Sequence, residues 1–253
     1  MKDNEELDIS PLVVIDRTHE ARYGTIKLLE GLFNNIGIVL SHRPKDTQLT
    51  ARLYTQRLII ELTCQYVEDV ASYSLACLET GLLYAQRVIS VTSREIGNFY
   101  KEVDKLTEGD LGKIFKIPLN DGRTPGFDFL GMKDKYRQLK EFRDKYQSLY
   151  NAIKHGNRVI HMEISSKGKP GDSLVSTYVS YQWVEVNQGQ KKKMKAKACD
   201  GSEIEIEVGE QKTETKILQS DTISEFLDIA EGCHQIIELI LQNHATHTRD
   251  KPE

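Results

Sequence analysis

Proline is scarce, with only six in 253 residues, and residues 47–90 contain none and a single glycine, Gly81. A long helical stretch is therefore expected there, with Gly81 its one weak point. Paired cysteines are missing too. Cys64, Cys77, Cys199 and Cys233 are far apart and form no C-x-x-C, which argues against a zinc knuckle or redox motif and for the reduced thiols of a cytoplasm. No run approaches the roughly 20 apolar residues that span a bilayer, so no membrane partner is expected. The acidic start, Met1 to Asp8, and the short run Leu12 to Ile15, interrupted by Asp16, make neither a secretory signal nor a transit peptide. The formal charge of −4 gives no global attraction for nucleic acid, so such binding needs a local patch. A Gly-rich phosphate loop, a Ser-His-Asp series, H-E-x-x-H, an EF-hand loop and a DNA-specific motif are all lacking. No cofactor is expected.

What is present reads as helix first. After a lead over residues 1–17, Ile26, Leu29, Phe33, Ile36 and Leu40 recur at helical spacing, and Pro44 closes the segment. Gly24, Gly31 and Gly37 weaken that helix. In residues 47–90 a stripe of Ile60, Val67, Val70, Cys77, Leu78, Ala85 and Val88 predicts one helix of about 60 Å, bent or broken near Gly81. Small residues at Ala71, Ser72, Ser74, Ala76, Gly81 and Ala85 permit close helix approach, inside the fold or across a dimer. Thr92 with Glu95 fits a capping box. A short helix follows at 109–116, then a loop through Pro118 and Pro125-Gly126. Helix returns from Gly131 to His155, with Tyr136, Leu139, Phe142, Tyr146, Leu149 and Ile153 inward.

The period then switches to two. Strands are predicted at 158–164, 174–186, 191–198 and 203–208, with turns at Lys167–Asp172, Asn187–Gln190 and Asp200-Gly201. A last helix opens at Thr222 with Glu225 three residues on. The expected fold class is mainly α (α+β). A helical bundle (18–157) carries an antiparallel four-stranded β-meander (158–218), inserted before a C-terminal helix (219–245) that packs back on the bundle.

The run Lys191-Lys192-Lys193-Met194-Lys195-Ala196-Lys197 invites a phosphate-binding reading, but Glu203, Glu205 and Glu207 alternate with Ile204, Ile206 and Val208. A three-residue loop sets Lys197 against Glu205, Lys195 against Glu207 and Ala196 against Ile206. One face is then charged and paired, and the lysines are neutralised at home.

Chemistry concentrates in Tyr150-Asn151-Ala152-Ile153-Lys154-His155-Gly156-Asn157-Arg158. Asn151 and His155, four apart near a helix end, share a face. A neutral imidazole can move a proton near pH 7, an amide can orient it or a phosphate, and Arg158 or Lys154 can counter a developing phosphorane charge. That set suits metal-independent RNA cleavage. The same residues also make a helix C-terminus, with cations at the negative end of the dipole and Gly156 as cap.

This stretch resembles the HEPN (higher eukaryotes and prokaryotes nucleotide-binding) superfamily. Its members are helical domains whose signature is an arginine, then a polar residue such as asparagine, then a histidine four to six residues after the arginine, often followed by glycine. Asn151, His155 and Gly156 match; the arginine position is Tyr150, and the nearest upstream arginine, Arg143, lies twelve residues before His155. The resemblance implies a dimeric helical protein, or one with a partner protein, of toxin–antitoxin, phage-defence or RNA-processing systems, with RNA or a nucleotide as ligand. Without the arginine, a non-catalytic binding or regulatory member is expected. A ribonuclease using His155 with Asn151 and Arg158, and an interaction module with no such site, stand as alternatives.

Four further features carry less. Glu68-Asp69 sit mid-helix, where adjacent carboxylates are usually solvated. His244 and His247 are three apart without a third ligand. His161 shares a strand side with Val159 and Glu163, and Trp183 with Tyr181 and Val179 reads as a packed strand face.

Overall fold

The computed structural model describes residues 11–79, 84–117, 127–154, 159–165, 177–197, 203–218 and 222–249. The chain forms two compact units: Met1–Tyr146 with Ser224–Glu253, and Gln147–Ile223. Its helices are α1 (Pro11–Val39), α2 (Lys45–Leu78), α3 (Tyr84–Ser90), α4 (Ser93–Glu102), α5 (Glu108–Ile114), α6 (Phe129–Lys154) and α7 (Thr222–Arg249), with a 3-10 turn at Val103–Lys105. Among the described residues, no helix is long and apolar enough to cross a membrane.

Local chemistry explains where the helices stop and start. α1 is described from Pro11, so helix already covers part of the stretch expected to be a lead. The α1–α2 connection is tied by Gln48, whose Nε2 donates to the carbonyls of Leu40 and Arg43 at 3.0 Å each. α2 ends at Leu78, where Glu79 turns extended, φ −88° and ψ 134°. The Thr92–Glu95 capping box starts α4, and a second box, Thr107 with Asp110, starts α5.

The core of the larger unit is built around tyrosines. Tyr66, Tyr100, Tyr136 and Tyr146 are all buried, and each hydroxyl has a partner. Tyr100 donates to the Val67 carbonyl at 2.6 Å, joining α4 to α2. The Tyr136 and Ser74 hydroxyls meet at 2.7 Å, joining α6 to α2. Phe142, Tyr146 and Phe226 form an aromatic cluster that joins α6 to α7, with Phe226 4.9 Å and 4.6 Å from the other two rings. Buried phenols keep their packing area and avoid an unsatisfied hydroxyl. The small residues Ala71, Ser74 and Ala76 are buried inside this unit, so they serve packing within the chain.

The expected fold class is corrected. The structure is predominantly helical, and the four-stranded meander is not shown. Between α6 and α7 run three antiparallel segments in the order β1 (Val159–Ser165), β2 (Thr177–Lys197), β3 (Glu203–Leu218). The predicted turn at Asn187–Gln190 lies within β2, as a register shift between Asn187 and Lys191. Backbone pairing carries on past Val208 through Gly209–Leu218, where apolar alternation gives no signal. The lysine register is also corrected. Lys197 faces Glu203, Lys195 faces Glu205 and Ala196 faces Ile204, two residues from the predicted pairing. A shift of two preserves which residues share a face, so lysine still stands opposite glutamate.

Candidate functional site

Of the residues that the sequence singles out for chemistry, Asn151 lies in the last turn of α6 and is exposed. Its Oδ1 accepts from Gln147 Nε2 at 2.8 Å. Tyr150, at the position of the family arginine, is buried at 2% exposure. Lys154 is exposed, with Nζ 5.5 Å from the Tyr150 ring. His155 and Arg158 fall outside the described residues, as do the side chains of His161, Trp183, His244 and His247. Arg143 points elsewhere: its guanidinium lies over the Tyr100 ring, 5.6 Å from the centroid.

A second constellation, unforeseen from the sequence, joins α1, α2 and α7. His19 is buried at 1% exposure. Its Nδ1 meets the Tyr66 hydroxyl at 2.7 Å, and its Nε2 lies 3.2 Å from Glu238 Oε1 and 3.2 Å from His234 Nδ1. The Tyr66 hydroxyl also stands 3.4 Å from His234 Nδ1. Burial pushes the Tyr66 phenol well up, so it stays protonated. The ring of Tyr23 stacks on that of His234, and its hydroxyl donates to Glu231. That bond holds the Glu231 carboxyl below its ordinary value and pushes the Tyr23 phenol up.

Beside it, Arg22 Nε approaches Asp69 Oδ2 at 2.7 Å. Burial pushes the Asp69 carboxyl up to about 6, while Arg22 pulls the other way. Asp69 is therefore an interhelical ion-pair partner of α1. Cys64, Cys77 and Cys233 form no disulfide. Burial pushes all three thiols up, Cys77 to about 12, which leaves them poor nucleophiles.

The His19 cluster escaped the sequence because its members come from three distant helices. Its one local signal is His234 and Glu238, four apart on α7, which is also the spacing of an ordinary solvated helix pair. No family model matches the chain, and no curated protein or solved structure matches it either.

Proposed function

We propose that this chain is a HEPN-like binding or regulatory protein that engages RNA or a nucleotide through the polar end of α6 without cleaving it. The observation that carries this reading is position 150. Where that family places a cation, this chain has a tyrosine at 2% exposure, and a buried phenol cannot neutralise a phosphorane. The neighbouring exposed groups, the Asn151 amide and the Lys154 ammonium, suit holding a phosphate. A cytoplasmic homodimer serving phage defence, toxin–antitoxin or RNA processing belongs to the same reading. Exposed Leu28, Leu32 and Val39 on α1 and Tyr54 and Leu58 on α2 support a second copy as the partner.

The test is an RNA binding and cleavage assay under chelator with the wild type, Asn151→Ala, Lys154→Ala and His155→Ala. Retention of intact RNA by the wild type, weakened at least about tenfold in Lys154→Ala, is the expected result. Cleavage that disappears in His155→Ala would replace this reading with a ribonuclease. Absence of RNA and nucleotide binding would remove it.

A further inference from the structure

Three atoms of metal-ligand type converge where α1 meets α7. His19 Nε2 is 3.2 Å from Glu238 Oε1 and 3.2 Å from His234 Nδ1, and the three ligand atoms all lie within 4.8 Å of one another. Around a tetrahedral cation with bonds of about 2.0–2.1 Å, adjacent ligand atoms stand about 3.3 Å apart. Two edges of that polyhedron are already in place.

One tautomer of His19 presents these ligand atoms to one another as lone pairs. A neutral imidazole carries one N–H. His19 faces Tyr66 with one nitrogen and both Glu238 and His234 with the other. If Nδ1–H is donated to the Tyr66 oxygen, the Nε2 lone pair confronts a carboxylate and a second imidazole nitrogen. Such a convergence is stabilised by a cation placed between the three.

We propose that His19, His234 and Glu238 bind one divalent cation of the zinc class per chain, with water completing the coordination on the solvent side. Two imidazoles and a carboxylate suit that class, and three protein ligands leave a fourth position for water. His19 is 1% exposed whereas Glu238 is 34% exposed, so the open position faces outward along Glu238. The surrounding contacts orient each ligand. Tyr66 fixes the His19 ring, Tyr23 stacks on His234, and Gln242 Nε2 donates to Glu238 Oε2 at 3.3 Å. His234 and Glu238, one helical turn apart on α7, make a bidentate face for a cation brought against α1. This site is independent of the RNA reading of α6.

The experiment titrates the full chain, stripped by chelator, with zinc and separately with cobalt(II). One equivalent of zinc is expected, with a rise in Tm of about 5 °C or more once free zinc exceeds Kd roughly a hundredfold. Cobalt(II) is expected to give the intense visible bands of a four-coordinate site, displaced by zinc. Glu238→Gln and His234→Ala, checked for native far-UV circular dichroism, each weaken zinc binding by at least about tenfold, whereas His244→Ala/His247→Ala retains it. The proposal is overturned if the wild type takes up no zinc, if uptake survives undiminished in Glu238→Gln and His234→Ala, or if it is lost with His244 and His247. The cobalt spectrum of the wild type decides the matter even should a variant fail to fold.

Discussion

The phenol ring of Tyr23 lies flat on the imidazole of His234, centroids 3.8 Å apart and planes 3° from parallel. The same side chain reaches Glu231, three residues before His234 on α7. One residue of α1 thus grips α7 by a ring face and by a carboxylate. Replacing Tyr23 by leucine removes both contacts and is expected to cost about 1–2 kcal/mol in urea unfolding. Tyr23→Phe keeps the stack and is expected to cost less, about 0.5–1.5 kcal/mol. Equal losses would assign the whole effect to the hydroxyl.

The Asp69–Arg22 pair predicts a pH dependence of definite sign. Asp69 has an ordinary value of 3.8 and is raised to about 6 by burial in the folded chain. The folded state therefore binds a proton more readily than the unfolded state. The stability contributed by that proton is fully present below 3.8 and is lost as pH rises through about 6. Asp69→Asn is expected to flatten the stability curve in that window. Arg22→Met removes the charge that compensates the ionised carboxylate, so it costs more at pH 8 than at pH 5, by about 1–3 kcal/mol at the higher pH. Identical costs at both pH values, measured by denaturant melts, would refute this assignment.

Phe226 is fully buried against Phe142 and Tyr146. Phe226→Ala opens a cavity at the junction of α6 and α7 and is expected to destabilise the helical unit by about 3–5 kcal/mol. Phe226→Leu, which fills most of the space, should lose considerably less. Calorimetric melts of the two variants provide the check.

The helices were legible in the sequence because their signals are local. Tyr136, Leu139, Phe142, Tyr146, Leu149 and Ile153, predicted to face inward from spacing alone, are all buried. The capping box at Thr92 was equally visible, since a hydroxyl three residues before a carboxylate acts within one turn, and α2 ends at Leu78, close to the break expected near Gly81. The segment before α7 was misread for the opposite reason. Asn187-Gln188-Gly189-Gln190 has the composition of a turn, but whether such residues turn or bulge depends on how far the partner strand extends. Gly209 to Thr213 carry no alternation to announce that extension. The His19 cluster was hidden because a buried histidine is polar at a position that periodicity treats as surface. Its partners, Tyr66 and Glu238, arrive from 47 and 219 residues away. Of the site predicted at Asn151, His155 and Arg158, only Asn151 is among the described residues, and it is exposed.

The larger unit draws on two separated stretches, Met1–Tyr146 and Ser224–Glu253. On a ribosome, translation at about 5–20 residues per second leaves several seconds between emergence of α6 and emergence of α7. Through that interval the nascent helices present His19, Tyr66 and an aromatic seam with no closing element. A chaperone that shields apolar surface has its window there, and a stall placed after Lys154 should trap the chain in an aggregation-prone, half-assembled state.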